Sequence, residues 1–172
     1  MVVRNTLRFI GHSDEPNWRI EILSTIPIAS GLGSGAAVSA AIIRAICKHT
    51  AHTVDDATVS QLVYEIETLH HGTPSGLDNT VIAYGMPVWF VKGEPPLPFR
   101  PSTSLLLVIG NSGIVAPTKE SVGDVRRRWQ QSPSMYEHIF DEIGELVVEA
   151  RACIEAGKVA QLGTIFDHNH TL

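Results

Sequence analysis

Residues 27 to 37 read PIASGLGSGAA, which sets Gly31, Gly33 and Gly35 between an apolar stretch and a long alanine-rich run. Glycine reaches positive φ at no steric cost, so this much backbone freedom at one junction calls for a cause. The preceding WRIEILST, residues 18 to 25, alternates apolar and polar side chains with a β-branched bias and predicts a strand. From Gly33 or Ser34 to about His49, apolar residues recur at 3–4 spacing with almost no polar face, which predicts a helix buried on most sides. The junction therefore joins a strand to a helix through a loop built to bend.

Three chemistries use such a loop. Gly31, Gly33 and Ala36 fit G-x-G-x-x-G/A, but a dinucleotide unit needs a second strand about twenty residues on, ending in an acid for the ribose. KHTAHTVDDATV stands there instead, a loop followed by a helix start. A Walker-type loop needs a lysine and a hydroxyl after its last glycine, where this chain has Ala36 and Ala37. The third is a phosphate cradle of another kind. Its glycines turn successive N–H groups toward one centre, and the next helix adds its unpaired amides and positive dipole end. Ser30 and Ser34 would add hydroxyl donors, Ser34 could face a metal, and Ala36 and Ala37 keep the helix start open. A turn that only packs a buried helix against a strand is the plainer alternative.

ETLHHGTPSGLDN, residues 67 to 79, bears on that choice. Thr53 reads as the cap of a helix with acids in its first turn, and Val59, Leu62, Val63, Ile66 and Leu69 give it one apolar face, ending near Gly72. Glu67 lies near that end, and Asp78 comes eleven residues later, in the first turn of a short helix with Thr73 or Ser75 as cap. A compact turn between them lets both carboxylates face one pocket. A Mg²⁺–nucleotide enzyme needs a hard oxygen ligand and uses a second carboxylate to orient an acceptor hydroxyl and take its proton. Read singly, Glu67 is equally a solvated helix residue and Asp78 a helix-start acid. Adjacent His70 and His71 diverge by about 100° on a helix and cannot make an i,i+4 metal pair. His12, His49, His52, His138, His168 and His170 form no ligand motif and read as surface or capping residues.

Downstream, MPVWFVKG (86 to 93) is strand-like, EPPLPFRP is a proline-rich connection, and SLLLVIGNSG (104 to 113) is an apolar run of strand length. The pattern then turns helical over roughly 118 to 130, 133 to 156 and 157 to 170, divided at Ser132-Pro133 and at Gly157. The class is α+β. The net charge of −5 argues against a nucleic-acid partner, and the RRR run at Arg126 to Arg128 reads as a solvated helix face. Ala36 to Cys47 is interrupted by Arg44 and too short to span a bilayer. The N-terminus lacks a signal-peptide core, and Cys47 and Cys153 have no metal spacing. Reduced core cysteines and a cytoplasmic location are the expectation.

Together, IPIASGLGSGAA and HGTPSGLDNTV resemble the GHMP small-molecule kinases, and within them the mevalonate kinases. GIVAPTKESVGDVR (113 to 126) resembles a third stretch of that family, and FDHNHTL the start of its N-x-H-x-L helix. The resemblance covers essentially the whole chain, and HGTPSGLDN is its most specific piece. It implies an incomplete GHMP kinase-like fold: a ribosomal protein S5 domain 2-like N-terminal ATP-binding part over residues 1–110, then the helical start of the C-terminal domain over 111–172. It implies that Pro27, Ala29, Ser30, Gly31, Leu32, Gly33, Ser34, Gly35 and Ala36 hold the phosphates of ATP, chiefly through the amides of Gly31 to Ala36. By the same resemblance Glu67, with Ser34, would hold Mg²⁺, and Asp78 would be the base or orienting group. His71, Ser75 and Thr118 would lie by the substrate. The implied reaction carries the γ-phosphoryl group of ATP to the 5-hydroxyl of mevalonate, an early step in making isoprenoid precursors. A homodimer of the full-length enzyme is consistent with it. Other acceptors within the family, such as phosphomevalonate or homoserine, and a non-catalytic nucleotide-binding module are the alternatives.

Two departures stand out. The family's usual G-L-G-S-S-A carries a metal-binding second serine where this chain has Gly35. The N-terminal P-G-K-type stretch, with a lysine that pairs with the catalytic aspartate, and the C-terminal T-G-x-G-G-G stretch are both missing. The chain therefore reads as the middle of a longer kinase, with exposed strand edges, weak nucleotide binding and little or no turnover of mevalonate by itself.

Overall fold

The computed structural model describes residues 1–172 apart from 13–15, 27–30, 72–73 and 111–117, and apart from the side chains of residues 70, 71, 118 and 119. The described residues fall into two compact units, Met1–Phe99 and Arg100–Leu172.

The first unit grows from four helices: α1 (Val2–Phe9), α2 (Ser34–His49), α3 (Asp56–His71) and α4 (Leu77–Tyr84). The N-terminal residues, readable as helix or strand, form a helix whose Thr6 hydroxyl donates to the Val2 carbonyl at 2.9 Å. Helix α2 opens after Gly33 and ends at Thr50, whose hydroxyl donates to the Ile46 carbonyl at 2.9 Å. Its stripe of Ala36, Ala40, Ile43 and Cys47 meets Val59, Leu62, Val63 and Ile66 of α3 and Ala83 of α4, forming the core. Burial is narrower than the sequence predicts: among the described elements α1, α3 and α4 supply the main packing on α2, and Ala41, Ala45 and Lys48 are exposed. Desolvation in this core raises the pKa of the Cys47 thiol above its ordinary value, so it stays protonated and inert near neutrality.

Arg44, the one charge inside the apolar run of α2, reaches two neighbours from its Nη2. It donates to Asp56 Oδ1 at 2.7 Å and to the Ala83 carbonyl at 2.6 Å, joining α2 to the start of α3 and the end of α4. The cap of α3 is Asp55 rather than Thr53: its Oδ1 accepts the Thr58 N–H at 2.8 Å, the spacing a capping side chain needs. These hydrogen bonds from Thr58 hold the Asp55 carboxyl below its ordinary pKa.

Only part of the predicted β content forms. Within 86 to 93, β1 (Val88–Trp89) pairs antiparallel with β2 (Leu97–Pro98), so the proline-rich connection supplies a strand. WRIEILST and the described part of SLLLVIGNSG, 104 to 110, form no strand. A strand's amides and carbonyls are satisfied by a neighbouring strand, and among the described residues none pairs with either run. Leu23, Leu106 and Val108 are accordingly 90, 94 and 95% exposed. The observed architecture is thus mostly helical with one small two-stranded ribbon.

The second unit holds α5 (Thr118–Gln131), α6 (Pro133–Ala156) and α7 (Val159–Thr171), close to the predicted spans. Proline at the first position of α6 matches the φ a helix start requires, and Gly157 ends α6 in the left-handed region at φ +71°. Leu146, Cys153, Leu162 and Ile165 form a small core with Leu105, Ala150 and Ile154 against it. Arg126, Arg127 and Arg128 are all exposed, as a solvated face requires, and Arg127 pairs with Asp124 one turn earlier. Both cysteines are buried and free. No helix among the described residues is long and apolar enough to cross a membrane.

Candidate functional site

The site is built where α2 begins. Gly31 and Gly33 both hold left-handed backbone, at φ +74° and +64°, which any L side chain resists. This turn delivers the chain into α2 with Gly33 as N-cap, and no side chain among the described residues caps the helix. The first helical bond runs from the Ala37 N–H to the Gly33 carbonyl at 2.9 Å, so the amides of Ser34, Gly35 and Ala36 lie ahead of the ladder. Unpaired amides at the positive end of a sixteen-residue helix are the groups through which a helix start can bind an anion.

The mouth is open. Among the described residues a Cβ added at Gly31 or at Gly35 would meet nothing within 4 Å, and Gly31, Leu32 and Gly35 are exposed. Ala36 is buried and anchors the helix start in the core, while Ser34 is half-buried at its rim. Pro27, Ala29 and Ser30 lie outside the described residues.

Asp78 is brought to this mouth. A Cβ on Gly33 would lie 3.9 Å from the Asp78 Cβ and 3.6 Å from Ile82, so the first turn of α4 packs directly on the glycine turn. Asp78 is exposed there, in the first turn of α4, whose cap is Gly76 at φ +89°. The cap is therefore Gly76 and not Ser75, one of the two the sequence suggests: Ser75 stands one residue earlier, where its Oγ accepts the Leu77 N–H at 3.2 Å, and Thr73 lies outside the described residues. Glu67 is half-buried in the last turns of α3, the helix packed most extensively on α4.

The remaining substrate candidates are less defined. His71 ends α3 and Thr118 opens α5 in the second unit, and the side chains of both lie outside the described residues. Among the described residues no three His, Cys, Asp or Glu side chains gather into a metal cage.

Several contributors carry no signal in the sequence. Arg44 reads as a break in an apolar run and turns out to join three helices. Ser60 reads as an ordinary polar residue of α3, yet it is buried and bonded to Asn79 and Thr80 of α4. Two of the histidines read as surface groups flank an aromatic ring: Trp18 stacks on His12 at 6.1 Å and meets His49 edge-on at 5.1 Å.

Residues 1–86 match the family model described as the GHMP kinases N terminal domain. The chain is 35% identical over 159 residues to a mevalonate kinase of Pyrococcus horikoshii, covering 89% of this chain and 47% of that protein. It is 32% identical over 179 residues to a mevalonate kinase of Thermococcus gammatolerans, covering 99% of this chain and 53% of that protein. With a mevalonate kinase of Arabidopsis thaliana the identity is 30% over 149 residues, covering 80% of this chain and 39% of the plant protein. The chain spans about half the length of the curated relatives it matches. A match to half of the chain, coinciding with the left-handed glycine turn, the open amides of α2 and the adjoining Asp78, places this chain in the GHMP kinase family.

Proposed function

We propose that this chain carries the phosphate-binding and acid–base part of a kinase that moves the γ-phosphoryl group of ATP to mevalonate, supplying isoprenoid precursors. The observation that carries the reading is the packing of Asp78 against Gly33 at the mouth of α2. Likeness to mevalonate kinases of three organisms supports the acceptor. Residues 1–110 then correspond to the family's ATP-binding domain and 111–172 to the start of its C-terminal domain, in a protein working in the cytoplasm.

In this reading the amides of Gly31 to Ala36, with Ser30 and Ser34, hold the phosphates, and residues 27–36 line that cradle. Glu67 and Ser34 would hold Mg²⁺, which when bound neutralises charge building on the phosphate oxygens. Gly35 offers no side chain, so Ser34 or a water serves where a second hydroxyl is usual. Asp78 orients the acceptor hydroxyl and takes its proton as that oxygen bonds to the γ-phosphorus and the bond to the β–γ bridging oxygen breaks. His71, Ser75 and Thr118 contact the acceptor. Most of the acceleration comes from holding the reactants in line, since phosphoryl transfer leaves little covalent work to the protein.

Asp78→Asn in the full-length protein tests this. It keeps the side chain's size and removes its charge, and mevalonate-dependent ADP release should fall by about a hundredfold or more, within the span general-base catalysis contributes. Turnover near that of the parent protein overturns the role of Asp78. Release with homoserine or phosphomevalonate in place of mevalonate reassigns the acceptor. Tight Mg·ATP binding without release from any acceptor makes the chain a nucleotide-binding module.

A further inference from the structure

Between α3 and α4 lies a directed run of buried hydrogen bonds that the phosphate site does not use. Asn79 and Thr80 are each 4% exposed and Ser60 is 8%. Asn79 Nδ2 donates to the Ser60 carbonyl at 3.1 Å and to Ser60 Oγ at 2.9 Å. Thr80 donates its single hydroxyl hydrogen to the Gly76 carbonyl at 2.7 Å. The 3.3 Å contact between Ser60 Oγ and Thr80 Oγ1 must then be a donation from serine to threonine. The order is fixed: Asn79 to Ser60, Ser60 to Thr80, Thr80 to Gly76.

The run is not an economical way to stabilise a core. Asn79 Oδ1 is buried with no partner among the described residues. An orphaned buried acceptor costs about 1–3 kcal/mol, and a valine or leucine at each position would avoid it. What the run supplies is register. Asn79 points into α3, while its neighbour Asp78, turned by about 100° on the helix, faces the glycine turn. On α3, Ser60 and Glu67 are seven residues apart, two turns along one face. The same bonds therefore tie the helix that carries Glu67 to the helix that carries Asp78, and a slip of one residue in α4 would swing Asp78 away from Gly33.

We propose that Ser60, Asn79 and Thr80 are positioning residues that lock this register and so hold Asp78 at the mouth of α2. The catalytic half of the proposal rests on the role given to Asp78 above; the register half rests on the geometry alone. Three substitutions in the full-length protein test it: Ser60→Ala, Ser60→Thr and Thr80→Val. Ser60 lines a cavity of about 480 Å³ with Tyr64, Tyr84 and Phe90, so the methyl group of threonine has room there. Two readouts are followed, the backbone amide resonances of Gly33 and Asp78, and kcat and KM for ATP and mevalonate.

Ser60→Ala is expected to move both resonances and to lower kcat about tenfold, the scale of a small misplacement of a reacting group, with KM for ATP within about twofold. Ser60→Thr, which restores the hydroxyl, should return both readouts to their starting values. A merely structural serine would lower stability and leave the resonances and kcat of the folded fraction unmoved, and that result overturns the proposal. So does a Ser60→Thr protein that behaves like Ser60→Ala. If the resonances move and return while kcat stays constant, the register lock stands and the catalytic reading of Asp78 fails. Should Ser60→Ala not fold, Thr80→Val removes the next hydroxyl with its shape kept, and the same two readouts decide.

Discussion

Ile43 and Val108 are both aliphatic residues from strongly apolar runs, and they meet opposite fates. Ile43, in α2, is fully buried between α3 and α4, while Val108 is 95% exposed. The difference lies in where each backbone finds its hydrogen bonds. A helix closes its own i→i−4 ladder, so α2 needed only an apolar surface to lie on, and α3 and α4 supply one. An extended run finds both its bonds and its cover in a neighbour, and residues 104 to 110 have no paired neighbour among the described residues.

The comparison can be broken most sharply at its two ends. Ile43→Ala should destabilise the first unit by about 2–5 kcal/mol, the cost of a cavity in a closed core, as read by denaturant titration. Val108→Ala should change stability by less than about 0.5 kcal/mol, as surface changes do. Equal losses at the two sites would mean that the 104–110 run is covered in solution. Next in size is the backbone itself. Gly33→Ala meets only ordinary contacts, with Ile82 at 3.6 Å, so its cost is the strain of a left-handed alanine, about 1–2 kcal/mol. Gly35→Ala, on helical backbone with open space around it, should be neutral or stabilising; a loss there as large as at Gly33 would show that the mouth of α2 is more crowded than described.

Arg44→Met keeps the aliphatic stem and removes the bonds to Asp56 and to the Ala83 carbonyl. The Arg44 and Asp56 side chains are 42 and 51% exposed and the bond to the Ala83 carbonyl is part-buried, so a loss of about 1 kcal/mol is expected. An unchanged unfolding midpoint would show that α2 holds α3 and α4 by apolar contact alone. The smallest effect is one of pH. Asp55 has its carboxyl pKa lowered by the Thr58 hydrogen bonds, so its cap is fully present above the unfolded-chain value near 4. The contribution is lost as pH falls below that value and through the lower folded one. Asp55→Asn, which keeps a capping oxygen without the charge, should flatten this acid-side slope; an unchanged slope would assign it to other carboxylates.

The same contrast explains what could be read from the chain before its fold. The spans of α2, α5, α6 and α7 were legible because periodicity, Pro133 and Gly157 mark them locally. WRIEILST and SLLLVIG carry an equally plain strand pattern, but pairing depends on a second segment that a single stretch does not specify. In the site, Gly33 and Asp78 were legible as residue types, and their contact follows from α4 folding back onto α2. Ser60 was not legible, because a serine in an amphipathic helix looks the same whether it faces water or an asparagine. The cap of α3 was misread as Thr53, with Asp55 taken for a first-turn acid; Asp55 caps because its oxygen stands three residues before the Thr58 amide.

The open space beside Gly35 also makes the protein easy to instrument. Cys47 and Cys153 are both buried, so a Gly35→Cys substitution would introduce the one accessible thiol of the chain. A fluorophore or spin label attached there would stand on regular helical backbone in the first turn of α2, with no neighbour to displace among the described residues. If the proposed phosphate site is right, its signal would change when a nucleotide is added, with no coupled enzyme assay and no native cysteine removed.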